Sequence, residues 1–182
     1  MAKIDEQELM EMLADAHTLN EGFEALVRQY SEQLYWKIRH IVIIHEDADD
    51  VLQNTWVKVW KSLGTFRGNS SLSTWLYRIA INESLDFLRH QKLVSEASVE
   101  AHQGLANRLM ADSYFDGDYM QAMLQEAVAS LPEVQRTVFT MKYYDDMKYS
   151  EISKVLQTSE GALKASYHLA VKKVTEYLHE RD

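Results

Sequence analysis

Apolar residues recur at three- and four-residue steps along most of this chain. Phe23, Leu26, Val27, Tyr30, Leu34, Ile38, Ile41 and Val42 keep that spacing, which predicts an amphipathic helix from about Glu21 to Ile44. Before it, Leu9, Met12, Leu13 and Ala16 make a shorter stripe, and Asp5 with Glu8 reads as a capping box. The run HEDADD breaks the second helix and supplies acids to the first turn of a third, over about 47–63, where the helix dipole favours them. GTFRGNSS at 64–71 is a loop by composition. Ser71 or Ser73 can cap a fourth helix reaching about His90. These helices share one bundle core.

From 93 to 117 the periodicity disappears, and the small, polar, acidic composition predicts a mostly extended linker. Helical spacing returns at Tyr119 with Met120, Met123, Leu124, Ala127, Val128 and Leu131. Pro132 suits the first turn of a helix over 132–143, where its missing N–H costs nothing. A turn at Tyr143–Asp146, a short helix at 149–156, a turn at Gln157–Ser159 and a long helix from 160 to about 179 complete the pattern.

Short helices with a tight turn before the last are the plan of a helix-turn-helix. Ile152, Val155 and Leu156 give its first helix an inward face, and Ser159 stands where an N-cap is needed. Ala162, Leu163 and Tyr167 are expected to pack the last helix back on the first, with Gly161 and Ala162 small at the crossing. Lys164, Ser166, His168 and Lys172 then face outward, suited to base edges or phosphates. An ordinary three-helix bundle with a solvated outer face has the same pattern.

Composition supports an all-α chain: there is one proline in 182 residues, and six glycines. With no cysteine, disulfides and thiolate metal sites are excluded. Seven histidines are scattered, and no His-Glu-x-x-His, phosphate loop or nucleophile motif occurs, so neither enzyme nor cofactor or metal binder is expected. No apolar run approaches the ~20 residues that span a bilayer, and the acidic start does not resemble a signal peptide. A cytoplasmic protein without membrane insertion is the expectation. The net charge of −9 argues against nucleic acid until its distribution is read. Residues 1–21 hold one Lys against six acids and 93–130 one Arg against six, whereas 22–92 hold nine Lys/Arg against eight acids and 131–182 eight of each. Each nearly neutral block can present a basic face.

The segment LPEVQRTVFTMKYYDDMKYSEISKVLQTSEGALKASYHLAVKKV resembles the fourth-region domain of the extracytoplasmic-function sigma factors of bacterial RNA polymerase. FEALVRQYSEQLYWKIRHIV, DADDVLQNTWVKVWKSL and FRGNSSLSTWLYRIAINESLDFLR resemble the second-region domain of the same family, in the same order. The resemblance implies two small helical domains joined by an acidic linker: an acidic N-terminal helix at 1–19, a region-two domain at 20–92, a linker at 93–118 and a region-four helix-turn-helix domain at 119–182. It implies a sigma factor that binds core polymerase through the β′ clamp helices and the β flap, directs it to promoter DNA and opens the minus-ten element. An anti-sigma factor is an inherited expectation.

Residue by residue, the resemblance assigns the clamp-helix contact to Asp47, Asp50, Gln53, Trp56 and Lys61, while Val59 and Trp60 are expected to face the bundle core. It assigns the minus-ten element to Arg67, Asn69, Ser70 and Ser71 in the loop and to Trp75, Arg78, Asn82 and Arg89 on the helix. Trp75 fits a core aromatic equally well. The minus-thirty-five element falls to Lys164, Ser166, Tyr167, His168, Lys172 and Lys173. Ser166, Leu169 and Val171 stand where the family pattern has arginines, which removes bidentate guanine readout and phosphate neutralisation. The linker suits either a basic polymerase channel or a plain tether. The alternative function is a stand-alone helix-turn-helix regulator.

Overall fold

The computed structural model describes residues 4–95 and 104–181. Among the described residues there are helices and no strands. In chain order they are α1 (Glu6–Ala14), α2 (Leu19–Val42), α3 (His45–Ser62), a 3-10 turn (Leu63–Thr65), α4 (Leu72–Ser95), α5 (Leu105–Ala111), α6 (Tyr119–Ala129), α7 (Glu133–Tyr143), α8 (Tyr149–Leu156) and α9 (Glu160–His179). None of the helices among the described residues is long and apolar enough to cross a membrane.

Helix ends follow local chemistry. The Asp5 carboxylate accepts from the Gln7 N–H at 3.1 Å and starts α1. Ser71 Oγ accepts from the Thr74 N–H at 3.2 Å and starts α4. Asp118 and Gln121 form a reciprocal capping box on α6, and Ser159 caps α9 through the Ala162 N–H. Pro132 is the residue before α7 rather than inside its first turn; its ψ of 146° is extended, and the helix begins at Glu133. The α2–α3 corner closes on Ile43 at φ 72°, a costly conformation for a β-branched residue. Its burial against Leu105 and Leu109 helps hold it there.

α1 lies against α2 at Gly22, where a Cβ would sit 2.9 Å from the Met12 Cβ. It is also tied to the start of α4, because Glu6 Oε1 accepts from the Leu72 N–H at 2.7 Å. α2, α3 and α4 bury Leu26, Leu34, Ile38, Val51, Val59 and Leu76 in one core. The same cluster continues without a break into Val138 and Met141 of α7, Ile152 and Val155 of α8 and Leu163 of α9. A smaller core joins α6, α7 and α9 through Ala127, Leu131, Phe139, Ala170 and Val174.

Two expectations need correction here. The stretch 93–117 is not mostly extended where it is described: 105–111 is helix, and Leu105, Ala106 and Leu109 are buried against α6 and the α2–α3 corner. The buried Glu126 carboxylate of α6 secures it, accepting from the Ala106 N–H at 2.8 Å and from the Tyr177 hydroxyl at 2.6 Å. Three apolar residues suffice because the pocket they fill is formed by other helices. Residues 96–103 of that stretch lie outside the described residues. Gly161 and Ala162 are exposed, with nothing near a Cβ built on Gly161, so the α8–α9 contact rests on Leu163 and Tyr167 instead.

Candidate functional site

Three surfaces gather the candidate residues. On α3, Asp50, Gln53 and Lys61 are exposed and recur at helical spacing on one face. Val57 and Trp60, 52% and 42% exposed, share that face. Val57 did not stand out in the sequence, although its spacing from Gln53 and Lys61 was the available signal. Trp60 was expected in the core; it lies half out, its ring 4.8 Å from Phe23 in an edge contact, because Val59 takes the inward position.

Asp47 and Trp56 turn away from this face. Gln91 Nε2 donates to Asp47 Oδ2 at 3.4 Å, and burial pushes the Asp47 carboxyl above the ordinary aspartate range. Trp56 is half-buried, donates from Nε1 to Ser31 Oγ at 3.1 Å and meets Phe23 edge-on.

The second surface is the loop before α4 and one face of α4. Arg67 and Asn69 are exposed and Ser70 half-buried, beside Gly68 at φ 69°. Ser71 is taken up by the cap: its Oγ also meets the Ser73 and Thr74 hydroxyls at 3.1 and 2.8 Å. Trp75 packs on Phe66, ring centres 5.0 Å apart, against the core. Trp75, Arg78, Asn82 and Arg89 fall on one face of α4. That face meets α7 and α8. Arg78 Nη2 donates to the Lys154 carbonyl at 2.8 Å, and Arg89 pairs with Glu133 and Asp86. Arg78, Asn82 and Arg89 line a cleft closed on its far side by Thr137, Val155 and Gln157.

The packing also engages α2. Lys37 Nζ lies 3.0 Å from Asp145, and His40 stacks on Tyr144 at 4.5 Å with its Nδ1 3.6 Å from Asp145. Arg39 pairs with Asp112 at 3.3 Å. Cations of α2 and α4 thus meet acids of the C-terminal half, and nothing in the local periodicity announced those partners.

The third surface is α9, which packs on α6, α7 and α8. Lys164, His168 and Lys172 share its outer face, and Lys173 flanks it. Lys164 stands 5.7 Å from the Tyr149 ring and Lys172 3.8 Å from Glu176. Ser166 and Tyr167 are half-buried; Tyr167 stacks on Phe139 at 5.8 Å, and burial raises its hydroxyl pKa. The outer face also carries Ala162, Ala165 and Leu169, all exposed.

Known proteins match most of the chain. Residues 26–94 match the family model of Sigma-70 region 2, and residues 121–174 that of Sigma-70, region 4. The ECF RNA polymerase sigma factor SigW of Bacillus subtilis is 27% identical over 157 residues, covering 81% of this chain and 84% of that one. The RNA polymerase sigma-H factor of Pseudomonas aeruginosa is 27% identical over 161 residues, covering 79% of each. Two solved structures share the fold. One, of CnrH in complex with the cytosolic domain of CnrY, has a TM-score of 0.70 at 22% identity and covers 97% of this chain and 99% of that one. The other, the sigma factor RpoE in complex with the anti-sigma factor NepR from Bartonella quintana, has a TM-score of 0.64 at 17% identity over 87% and 98%.

Proposed function

The chain belongs to the sigma-70 family, as an extracytoplasmic-function sigma factor that directs RNA polymerase to promoters, and from that premise we propose how its surfaces divide the work. The exposed Asp50, Gln53, Val57, Trp60 and Lys61 on α3 bind the polymerase clamp helices. Charged ends orient the contact, and the apolar pair supplies an anchor that desolvates. Asp47 and Trp56 hold this helix in position from behind.

Arg67 and Asn69 read a base flipped from the minus-ten element, and Arg78, Asn82 and Arg89 hold the opened strand. Unstacking a base costs a few kcal/mol, so the opened state survives only if such contacts replace the lost stacking. Ser71 and Trp75 shape the loop rather than touch the base. α9 enters the major groove of the minus-thirty-five element through Lys164, His168, Lys172 and Lys173. The chain catalyses no covalent step in this scheme, and it works in the cytoplasm with the polymerase.

In the closed arrangement Arg78 and Arg89 are engaged with α8 and α7 and Asn82 lines the cleft between them, so strand binding requires the halves to part. Polymerase contacts on both halves supply that work. Structural relatives described in complexes with CnrY and with the anti-sigma factor NepR support a protein inhibitor as a further partner. A stand-alone regulator is not favoured, since it has no use for a region-two domain.

The observation that carries the reading is the exposed α3 stripe and the exposed Arg67–Asn69 loop on one helical bundle. The test mixes the purified chain with core polymerase and sequences the transcripts started on fragmented genomic DNA. New, shared start sites are expected, and Asn69→Ala should weaken promoter opening while polymerase binding stays intact. A chain that forms no complex and adds no start sites sinks the proposal.

A further inference from the structure

We propose that α9 recognises the upstream promoter element through thymine methyl groups, with Leu169 as the specificity-determining contact; this rests on the sigma-factor reading above. Ala162, Ala165 and Leu169 are spaced by three and four residues, so they form one strip along the helix. All three are exposed, Leu169 at 47%, so the strip as a whole is open to a partner. The strip lies between Lys172 and Lys173, with Lys164 near its N-terminal end, and cations beside an apolar line complement a groove walled by phosphates.

Ala162 and Ala165 are small, so the backbone can approach the groove floor closely, and Leu169 projects beyond them. From Ala162 to Leu169 the helix rises ~10 Å, about three base-pair steps. The major groove presents one apolar group, the thymine C5-methyl, and alanine-like side chains are its natural contacts. The residue type at 169 agrees: an arginine there would seek guanine, whereas a leucine offers only apolar contact. Val171 lies on the opposite edge of the exposed arc and takes no part.

The test uses holoenzyme assembled from core polymerase and the full chain, on a promoter found by start-site sequencing. Two templates are compared, one natural and one in which every thymine of the upstream element, on both strands, is replaced by uracil. Uracil lacks only the methyl. Wild-type holoenzyme should lose about fourfold in initiation for each methyl contacted. Leu169→Ala should lose a similar factor on the natural template and become much less sensitive to the uracil exchange. Leu169→Arg should also become insensitive to it and shift selected elements toward guanine. Equal wild-type rates on both templates overturn the proposal while leaving the sigma reading standing, as does undiminished uracil sensitivity in Leu169→Ala. Absence of promoter-directed transcription even on the natural template overturns both.

Discussion

Arg89 of α4 and Glu133 of α7 clasp each other across the seam between the two halves, with Nη2 2.6 Å from Oε1 and Nε 3.3 Å from Oε2. Glu133 holds the Arg89 guanidinium above its ordinary pKa. The pair is accessible to water, so its value lies in orientation more than in stability.

Glu133→Gln should therefore cost less than about 1 kcal/mol in denaturation yet loosen the seam. Labels on α4 and α7 should move apart in energy-transfer measurements. The free chain should bind a single-stranded minus-ten oligonucleotide two- to fivefold more tightly, roughly the effect of losing a surface pair. Unchanged oligonucleotide affinity with a visibly opened seam would mean that closure does not mask the strand-binding face.

Because Ile152 of α8 shares its core with α2 and α4, the chain should unfold in one cooperative transition. Ile152→Ala should lower the unfolding free energy read from that single transition by about 2–5 kcal/mol, followed by circular dichroism in urea. Two separated transitions in the parent chain would contradict a continuous core.

Burial, with Glu126 accepting from its hydroxyl, pushes the Tyr177 pKa up to about 12 from 10.0. The folded state holds that proton more tightly than the unfolded one. The stability it contributes is fully present below pH 10.0 and is lost as pH rises through about 12. Tyr177→Phe should flatten that alkaline loss and cost about 1–3 kcal/mol at neutral pH, since a buried carboxylate oxygen loses its donor. The difference in phenolate absorbance between the parent and Tyr177→Phe during a pH titration isolates this hydroxyl from the other late-titrating tyrosines, Tyr144 among them.

Asp47 titrates above the ordinary aspartate range because it is desolvated, with Gln91 opposing and Asp50 and Glu46 adding to the rise. A raised folded pKa means stability that is fully present below the unfolded value, about 3.9, and lost as pH rises through the folded one. Asp47→Asn does not ionise, so its stability relative to the parent should grow as pH rises across that window. Urea melts at stepped pH and the carboxyl carbon shift of Asp47 measure the two sides of this statement. A gap that shrinks with pH would show the sign to be wrong.

Much of this was legible along the chain. The α2 stripe from Phe23 to Val42, the Ser71 and Ser159 caps and the α8–α9 unit depend on residues within a few positions of one another, and periodicity reads such relations directly. Side-chain direction was less legible. Asp47 and Asp50 are three apart on one helix, yet one faces α4 and the other solvent. Val59 and Trp60 are neighbours, and only one fits inward. α5 escaped because its Leu105–Leu109 step spans barely one turn within an acidic stretch, too short a stripe to stand out as a period.

What the sequence by itself determined is the helices other than α5, the caps at Ser71 and Ser159 and the two blocks matched to one family, since these follow from backbone hydrogen bonding and local amphipathic spacing. Only the tertiary structure decided that the blocks pack into one core, that Arg78 and Arg89 spend themselves on α8 and α7, and that Leu169 stands exposed between lysines. The Arg89–Glu133 clasp joins residues 44 positions apart, and the Lys37–Asp145 pair more than a hundred. Such contacts depend on how whole surfaces fit and exclude water, and no local rule encodes that fit.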